Sequence, residues 1–119
     1  MANRFAPIRV IDIDSAVNAG QTATITGLNQ AFELVNVLID GNDGAIATVK
    51  NGGLTAAVAY VAGLTNGELG GTADLTNDNC TFAASAAITV EVTQANATRI
   101  QLLCRAIDSV AREITVSVA

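Results

Sequence analysis

Short segments in which apolar and polar residues alternate run through most of the chain and predict β-strands. Residues 21–28 alternate Ala23 and Ile25 with three threonines, as a half-buried antiparallel strand does. Residues 86–94 and 113–118 show the same alternation. Groups rich in Gly, Asn and Asp separate these segments at regular intervals. The spacing predicts an all-β protein, an antiparallel β-sandwich or barrel of the jelly-roll or immunoglobulin-like kind.

Three consecutive strands are predicted in the middle of the chain. Residues 32–40 carry apolar side chains in both phases of the alternation, which indicates a strand covered on both sides. Such a strand is central in its sheet or lies under a partner chain. Turn residues at 41–44 and 51–53 lead into the segments 45–50 and 54–61, so the three strands predict a meander.

Residues 98–111 leave two interpretations open. Their apolar residues fit a helical stripe, but no Gly or Pro ends a helix before the alternating segment at 113–118. We favour a β-hairpin with its turn at Asp108 and Ser109, in which the last strand pairs back on this one. The side chains predicted to face inward are those of Ile100, Leu102, Cys104 and Ala106.

The first nine residues predict an extended arm ahead of a single β domain that spans residues 10–119. Pro7 is the only proline, and it fixes its own backbone dihedral and biases Ala6 away from helix. An extended arm can lie along a neighbouring surface with Phe5 as an apolar anchor and Arg4 as a hydrogen-bond donor; a frayed terminus is the alternative. The residues expected to bind a partner are Arg4, Phe5, Pro7, Ile8 and Arg9.

Residues 62–79 predict a long surface loop, because they are rich in Gly, Asn, Thr and Asp and lack a sustained period. Loops of this length are uncommon in compact domains unless they have a function. A tolerated surface insertion is the alternative. We expect Leu64, Leu69 and Asp74 to make contacts within the loop or between subunits.

The residue types present argue against catalysis and against cofactors. The chain contains no histidine, so general-base chemistry near neutral pH and histidine-ligated metal sites are not expected. Asp40, Asn42 and Asp43 crowd one turn, but in a calcium loop that starts at Asp40 the glycine falls at the fifth position and not at the sixth, and turn formation explains these residues. We therefore expect neither an enzyme nor a metal site.

The net charge and the hydropathy of the chain argue against two classes of partner, nucleic acids and membranes. The net charge is −5 with only six Lys and Arg residues, so nucleic acid is not an expected partner. No apolar run reaches the roughly 18 residues that cross a bilayer, and the first residues lack a signal-peptide pattern, so we expect no membrane contact and synthesis in the cytoplasm. Cys80 and Cys104 are expected to be buried free thiols, although their spacing alone does not exclude a bridge.

The scarcity of residues that protect sheet edges predicts self-association. A β-rich chain with one lysine and one proline has few of the residues that keep exposed edges from pairing. Such edges must be covered by closing the sheet or by contacts between copies. Only 14% of the residues are charged, which lowers the desolvation cost of those contacts. A homo-oligomer is the expected form.

The chain resembles the small decoration, or cement, proteins on the heads of tailed bacteriophages. The resemblance rests on an arm at 2–9 ahead of a compact β domain, on the Thr, Ala, Val, Asn and Gly bias, on the absence of histidine and of a secretion signal, and on the alternating strand at 114–118. It implies an oligomer, with a trimer favoured, that binds the major capsid protein on the outer surface of the virion head and stabilises the contacts between capsid subunits. No residue role is carried over from the family.

A module of a surface or tail-fibre protein is the alternative function. An immunoglobulin-like adhesive or carbohydrate-binding module fits the predicted strands equally well. Sugar binding commonly uses exposed aromatic side chains, and the chain has only Tyr60 and three phenylalanines to supply them.

Overall fold

Ten β-strands and one short 3-10 helix make up the described part of the chain. The computed structural model describes residues 8–13, 15–26, 31–61, 72–83, 86–106 and 115–119. Of these residues 69% lie in strands and none in an α-helix, which confirms the all-β prediction. The elements are β1 (Ile8–Ile13), β2 (Thr22–Thr26), β3 (Phe32–Gly41), β4 (Ile46–Asn51), β5 (Leu54–Tyr60), β6 (Thr72–Leu75), the 3-10 helix (Asn77–Asn79), β7 (Thr81–Phe82), β8 (Ile88–Thr93), β9 (Ala97–Ala106) and β10 (Thr115–Val118).

The strands form two antiparallel sheets that share one hydrophobic core. The smaller sheet has the strand order β1-β9-β3-β7, and the larger has the order β10-β2-β8-β4-β5-β6. Inward side chains of both sheets, such as Ile39 and Leu102 from the first and Val49 and Val90 from the second, belong to the same buried cluster. β-branched residues that alternate with polar ones bury one face of each sheet and hydrate the other. This arrangement agrees with the predicted antiparallel β-sandwich or barrel.

A β-bulge in β3 accounts for the apolar residues in both phases of that strand. The pairing of β3 with β9 shifts by one residue between Leu34 and Asn36. Leu34 faces the core before the shift, and Val37 and Ile39 face it afterwards, whereas Val35 is 37% exposed on the other side. The extra residue thus brings both phases to one face. β3 lies between β9 and β7 in its sheet, so it is the central strand that the sequence predicted.

β4 and β5 form the predicted hairpin, but β3 does not continue it. Gly52 adopts a φ of 64° in the two-residue turn between Asn51 and Leu54. Because β3 and β4 belong to different sheets, the predicted three-stranded meander is wrong. The chain leaves β3 at Gly41, where a Cβ would lie 2.5 Å from the carbonyl oxygen of Asn96. Only glycine fits this close approach.

β9 confirms a strand in place of a helix for residues 98–106, but the predicted hairpin is wrong. Ile100, Leu102 and Cys104 are buried as expected. β9 pairs with β1 and β3, whereas β10 pairs with β2 in the other sheet. Both sides of β9 are occupied, by β1 and β3, so β10 has no place beside it in that sheet. Residues 107–114, with the predicted turn, lie outside the described residues.

β1 includes the last two residues of the predicted arm. Ile8 and Arg9 are the first residues of β1 and pair with Arg105 and Cys104 of β9. Backbone hydrogen bonding to β9 therefore begins two residues before the expected start of the domain. Residues 1–7 lie outside the described residues.

Part of the predicted loop at 62–79 has regular structure. β6 pairs with β5, and the 3-10 helix follows it, while residues 62–71 lie outside the described residues. Side-chain amides hold the segment in place. Asn51 Nδ2 donates to the carbonyl oxygens of Asn79, at 3.1 Å, and Thr81, at 2.8 Å, and Asn79 Nδ2 donates to that of Thr55 at 3.0 Å. Asparagine residues contributed to the prediction of a loop, but here their side chains donate hydrogen bonds to backbone carbonyl oxygens.

Cys80 and Cys104 are both buried free thiols, as expected. Leu34 of β3 separates them, because it pairs with Cys104 on one side and its N–H donates to the Cys80 carbonyl oxygen, at 2.7 Å, on the other. Two strand spacings amount to roughly 10 Å, which is more than the Cα separation that a disulfide spans. Burial raises the pKa of the Cys104 thiol to about 12, so the thiol stays protonated and unreactive.

Candidate functional site

The structure describes three of the residues predicted to bind partners, namely Ile8, Arg9 and Asp74. Ile8 and Arg9 lie on β1, an edge strand of the smaller sheet, and Asp74 is exposed on β6, an edge strand of the larger sheet. The structure therefore places the two groups on different sheets. The remaining predicted residues lie outside the described residues: Arg4, Phe5, Pro7, Leu64 and Leu69.

The candidate site is the solvent-facing side of β1, β9 and β3, which we call the outer sheet face. Successive side chains of a strand point to opposite faces, and the burial of these three strands shows which positions point outward. The register places the outward side chains of neighbouring strands beside each other. They are Val10 and Asp12 on β1, Arg99, Gln101, Leu103 and Arg105 on β9, and Glu33, Val35, Leu38 and Asp40 on β3.

Four aliphatic side chains form the centre of the outer sheet face. Val10 is 53% exposed and Val35 is 37% exposed, while Leu103 and Leu38 are half-buried. Val10 lies directly opposite Leu103, and Leu103 lies opposite the bulge that contains Val35. Side chains at such cross-strand positions are about 5 Å apart at Cβ and contact each other. The result is a continuous apolar strip that crosses three strands.

The bulge in β3 leaves Val35 on the outward side and returns Val37 and Ile39 to the core. Beside the bulge, Asn36 Oδ1 accepts a hydrogen bond from the Val37 N–H at 2.9 Å, so a side chain satisfies this backbone donor. Our sequence-based prediction did not include Val10, Val35 or Leu103 among the contact residues. The signal for Val35 was present as the change of phase, which we interpreted as a strand covered on both sides.

Ion pairs flank the apolar strip on its two sides, towards the two ends of β9. At one end Arg99 holds Asp12 with two hydrogen bonds, Nε to Oδ1 at 3.0 Å and Nη2 to Oδ2 at 2.8 Å. The hydrogen bond from Arg99 is the main cause that lowers the pKa of Asp12 from its ordinary value of 3.8. At the other end Arg105 Nη1 lies 3.4 Å from Glu33 Oε1. Exposed ion pairs of this kind add little to the stability of the fold. They matter here because they place charged groups at the border of the apolar strip.

The outer sheet face combines both signs of charge around an apolar centre. Arg99 and Arg105 supply positive charge, and Asp12, Glu33 and Asp40 supply negative charge. Nε of Arg105 is buried without a hydrogen-bond partner in the part of the chain that the structure describes, so this guanidinium retains one unused donor. Such a face can bind another protein surface through apolar contact and charged hydrogen bonds at its border.

The described residues point to no other chemistry. Within them, no three Cys, Asp or Glu side chains come together as a metal site would require. The crowded aspartate turn is a turn, as predicted: Ala45 N–H donates to the Asn42 carbonyl oxygen at 3.1 Å, and Gly44 has a φ of 90°. No helix among the described residues is long and apolar enough to span a membrane. Comparison of the chain with protein-family models, curated proteins and solved structures found no match.

Proposed function

We propose that this protein is an adhesive structural protein, a decoration protein that binds the major capsid protein on the outside of a tailed-phage head as a homo-oligomer. The observation that carries the proposal is the outer sheet face, where Val10 and Val35 stand exposed in an apolar strip between two ion pairs. An apolar centre with a polar, charged border is the usual anatomy of a protein–protein interface.

Rigid backbone beneath this face lowers the cost of binding. β9 is paired with β3 along its length and with β1 over residues 100–105, so the backbone at Leu103 and Arg105 is held on both sides before a partner arrives. Valine loses little rotamer entropy when it is ordered at an interface, whereas long flexible side chains lose more. Arg99 is already held by Asp12, so part of its ordering cost is met within the domain.

An adhesive role requires only modest affinity for each contact. Several copies that bind neighbouring capsid subunits raise one another's effective concentration, and dissociation slows without any catalytic step. The net charge of −5 suits a surface that faces solvent and disfavours contact with packaged DNA.

The carbohydrate-binding alternative has less support. Phe32 and Phe82 are buried in the core, at 1% and 0% exposure, and Tyr60 is half-buried on β5. The described part of the chain therefore supplies no fully exposed aromatic platform on which a sugar ring can stack. Binding to a glycan array without affinity for capsids would favour this alternative over the decoration protein.

The test is co-sedimentation with phage heads assembled in the absence of this protein. We expect the wild-type protein to sediment with the heads and Val10→Asp to bind more weakly by about 2 kcal/mol, because a charge replaces an apolar contact. Leu54→Asp is the matched control, since Leu54 is 59% exposed but lies at the β4–β5 turn, away from the outer sheet face. Wild-type protein that stays in the supernatant refutes the proposal. If Val10→Asp binds the heads as tightly as Leu54→Asp does, the outer sheet face is not the binding site.

A further inference from the structure

The sheet edges differ in how they are protected against pairing. Among the described strands, β1 and β7 end the smaller sheet, and β10 and β6 end the larger one. β1 carries the exposed Asp12, β6 carries the exposed Asp74, and β7 has only two residues. β10, with the sequence Thr-Val-Ser-Val, carries no charge. Charged residues on edge strands and very short edges discourage pairing, so β10 is the least protected of the four.

The hydrogen bonds at the end of β10 show which backbone groups face outward from the sheet. Ala119 N–H donates to the Thr22 carbonyl oxygen at 3.0 Å, and Thr22 N–H donates to the Ala119 carbonyl oxygen at 2.8 Å. In an antiparallel pair such residues alternate with residues whose N–H and C=O both point away. Ser117 therefore points its backbone groups towards β2, and Val116 and Val118 point theirs to the open side. No described strand pairs there.

We propose that β10 pairs antiparallel with β10 of a second copy of this chain across a two-fold axis, which joins the two larger sheets into one continuous sheet. An antiparallel edge is its own complement, so a second copy fits without any change of shape. With Val116 opposite Val118 of the second copy, the outward groups form four backbone hydrogen bonds. No like charges meet along this edge, as they would if Asp74 of β6 met its counterpart.

The side chains of β10 suit this register. Val116 and Val118 pack against the core and hold the strand in place, whereas Ser117 is exposed on the outer side of the sheet. Ser117 then lies at the two-fold axis, opposite Ser117 of the second copy. Opposed residues in such a non-hydrogen-bonded pair have Cα atoms about 4.5 Å apart, a separation that a disulfide can span.

This inference rests on the self-association in the proposed function and names the edge that carries it. It does not involve the outer sheet face, so the two contacts can be tested separately. It also replaces the trimer that the resemblance implies with a two-fold pair.

Ser117→Cys under mild oxidation tests the register directly. We expect a disulfide-linked dimer on a non-reducing gel that reverts to monomer on reduction. Thr93→Cys is the matched control, because Thr93 is also exposed on the larger sheet but belongs to β8, an inner strand. Both variants retain the buried Cys80 and Cys104, so any background from these thiols is the same. Linkage of Ser117→Cys at no more than the control level overturns the proposal.

Native mass measurement keeps the test independent of the introduced cysteine. Wild-type protein is expected to be a dimer, and Ser117→Lys, which places two like charges at the axis, is expected to be a monomer. A wild-type monomer or trimer overturns the β10 pair. A wild-type monomer that still sediments with phage heads overturns the β10 pair and leaves the adhesive function intact. A wild-type dimer that does not bind phage heads overturns the adhesive function and leaves the β10 pair intact.

Discussion

The outward sides of the two sheets are built from different residues. On the outer sheet face the exposed positions include Val10 and Val35. The outward side of the larger sheet carries many threonines on β2, β4 and β8 and the ion pair from Lys50 to Glu91, at 3.1 Å. Its apolar side chains lie towards β5, where Ile46, Val58 and Tyr60 are half-buried and Leu54 is exposed at the turn. We call this side the threonine face, and its threonines on inner strands are Thr22, Thr24, Thr26, Thr48, Thr89 and Thr93.

The contrast distinguishes residues that favour strand formation from residues that leave apolar surface exposed to solvent. Threonine and valine are both β-branched and favour strands to a similar degree. Threonine also carries a hydroxyl that water can satisfy, so the threonine face is stable when hydrated. The valines of the outer sheet face leave apolar surface in water that strand formation does not require. Val10 and Val35 are the exposed apolar surface on which the proposed function rests.

Two neighbouring substitutions in β3 give the largest expected effect and test whether the faces are assigned correctly. Val37→Asp should lower the free energy of unfolding by roughly 3 to 5 kcal/mol, because Val37 is 1% exposed and the new carboxylate would be buried without a partner. Val35→Asp should change it by no more than about 0.5 kcal/mol, because Val35 faces solvent. Chemical denaturation monitored by circular dichroism measures both. Comparable losses in the two variants would show that Val35 is not on an exposed face.

The same strand shows what the sequence can and cannot reveal about this fold. Regular alternation predicted β2, β8 and the inward residues of β9, because one wet and one buried face leave that pattern in any antiparallel sandwich. The bulge at Val35 and Asn36 was not predicted, since a single inserted residue looks the same as a strand with two apolar faces. Position along the chain also did not show that β3 and β4 lie in different sheets. At the end of β3, Gly41 lies close to Asn96, a contact between residues that are distant in the sequence.

The candidate site was predicted less well than the fold, for a related reason. Ile8 and Arg9 were expected to contact a partner and lie on β1, in the strand that also presents Val10. The apolar strip itself joins β1, β9 and β3, which are far apart in the sequence, and only the sheet order brings them together. A surface assembled across strands leaves no local motif, so spacing rules could not identify it.

A smaller effect is expected where the two sheets are held together. Asn51, at the end of β4 in the larger sheet, donates one hydrogen bond to the carbonyl oxygen of Thr81 in β7 of the smaller sheet. Asn51→Asp keeps the shape of the side chain but removes both donors, so the carbonyl oxygens of Asn79 and Thr81 face a carboxylate. We expect a loss of about 1 to 3 kcal/mol, measured by thermal or chemical unfolding.

Asn36→Asp provides the control for this substitution. The Asn36 side chain acts as an acceptor for the Val37 N–H, and a carboxylate accepts that bond equally well. Asn36→Asp should therefore leave stability nearly unchanged. If Asn51→Asp also leaves stability unchanged, the hydrogen bonds from Asn51 do not help to hold the two sheets together. The packing of the two sheets then depends on the hydrophobic core alone.

The smallest expected effect concerns the charge at the border of the outer sheet face. Arg99 lowers the pKa of Asp12 below 3.8, mainly through their hydrogen bond. Since the folded-state pKa is lower than the unfolded one, the stabilising contribution of Asp12 is fully present above about pH 4 and is lost as the pH falls through the folded-state pKa. An NMR titration of the Asp12 carboxyl should show this low pKa, and Arg99→Gln should return it towards 3.8. Lys50→Gln, which removes a cation from the threonine face, should leave the Asp12 titration unchanged. If Lys50→Gln also changes the pKa of Asp12, the long-range electrostatic field of the protein sets that pKa. The hydrogen bond from Arg99 would then not be its main cause.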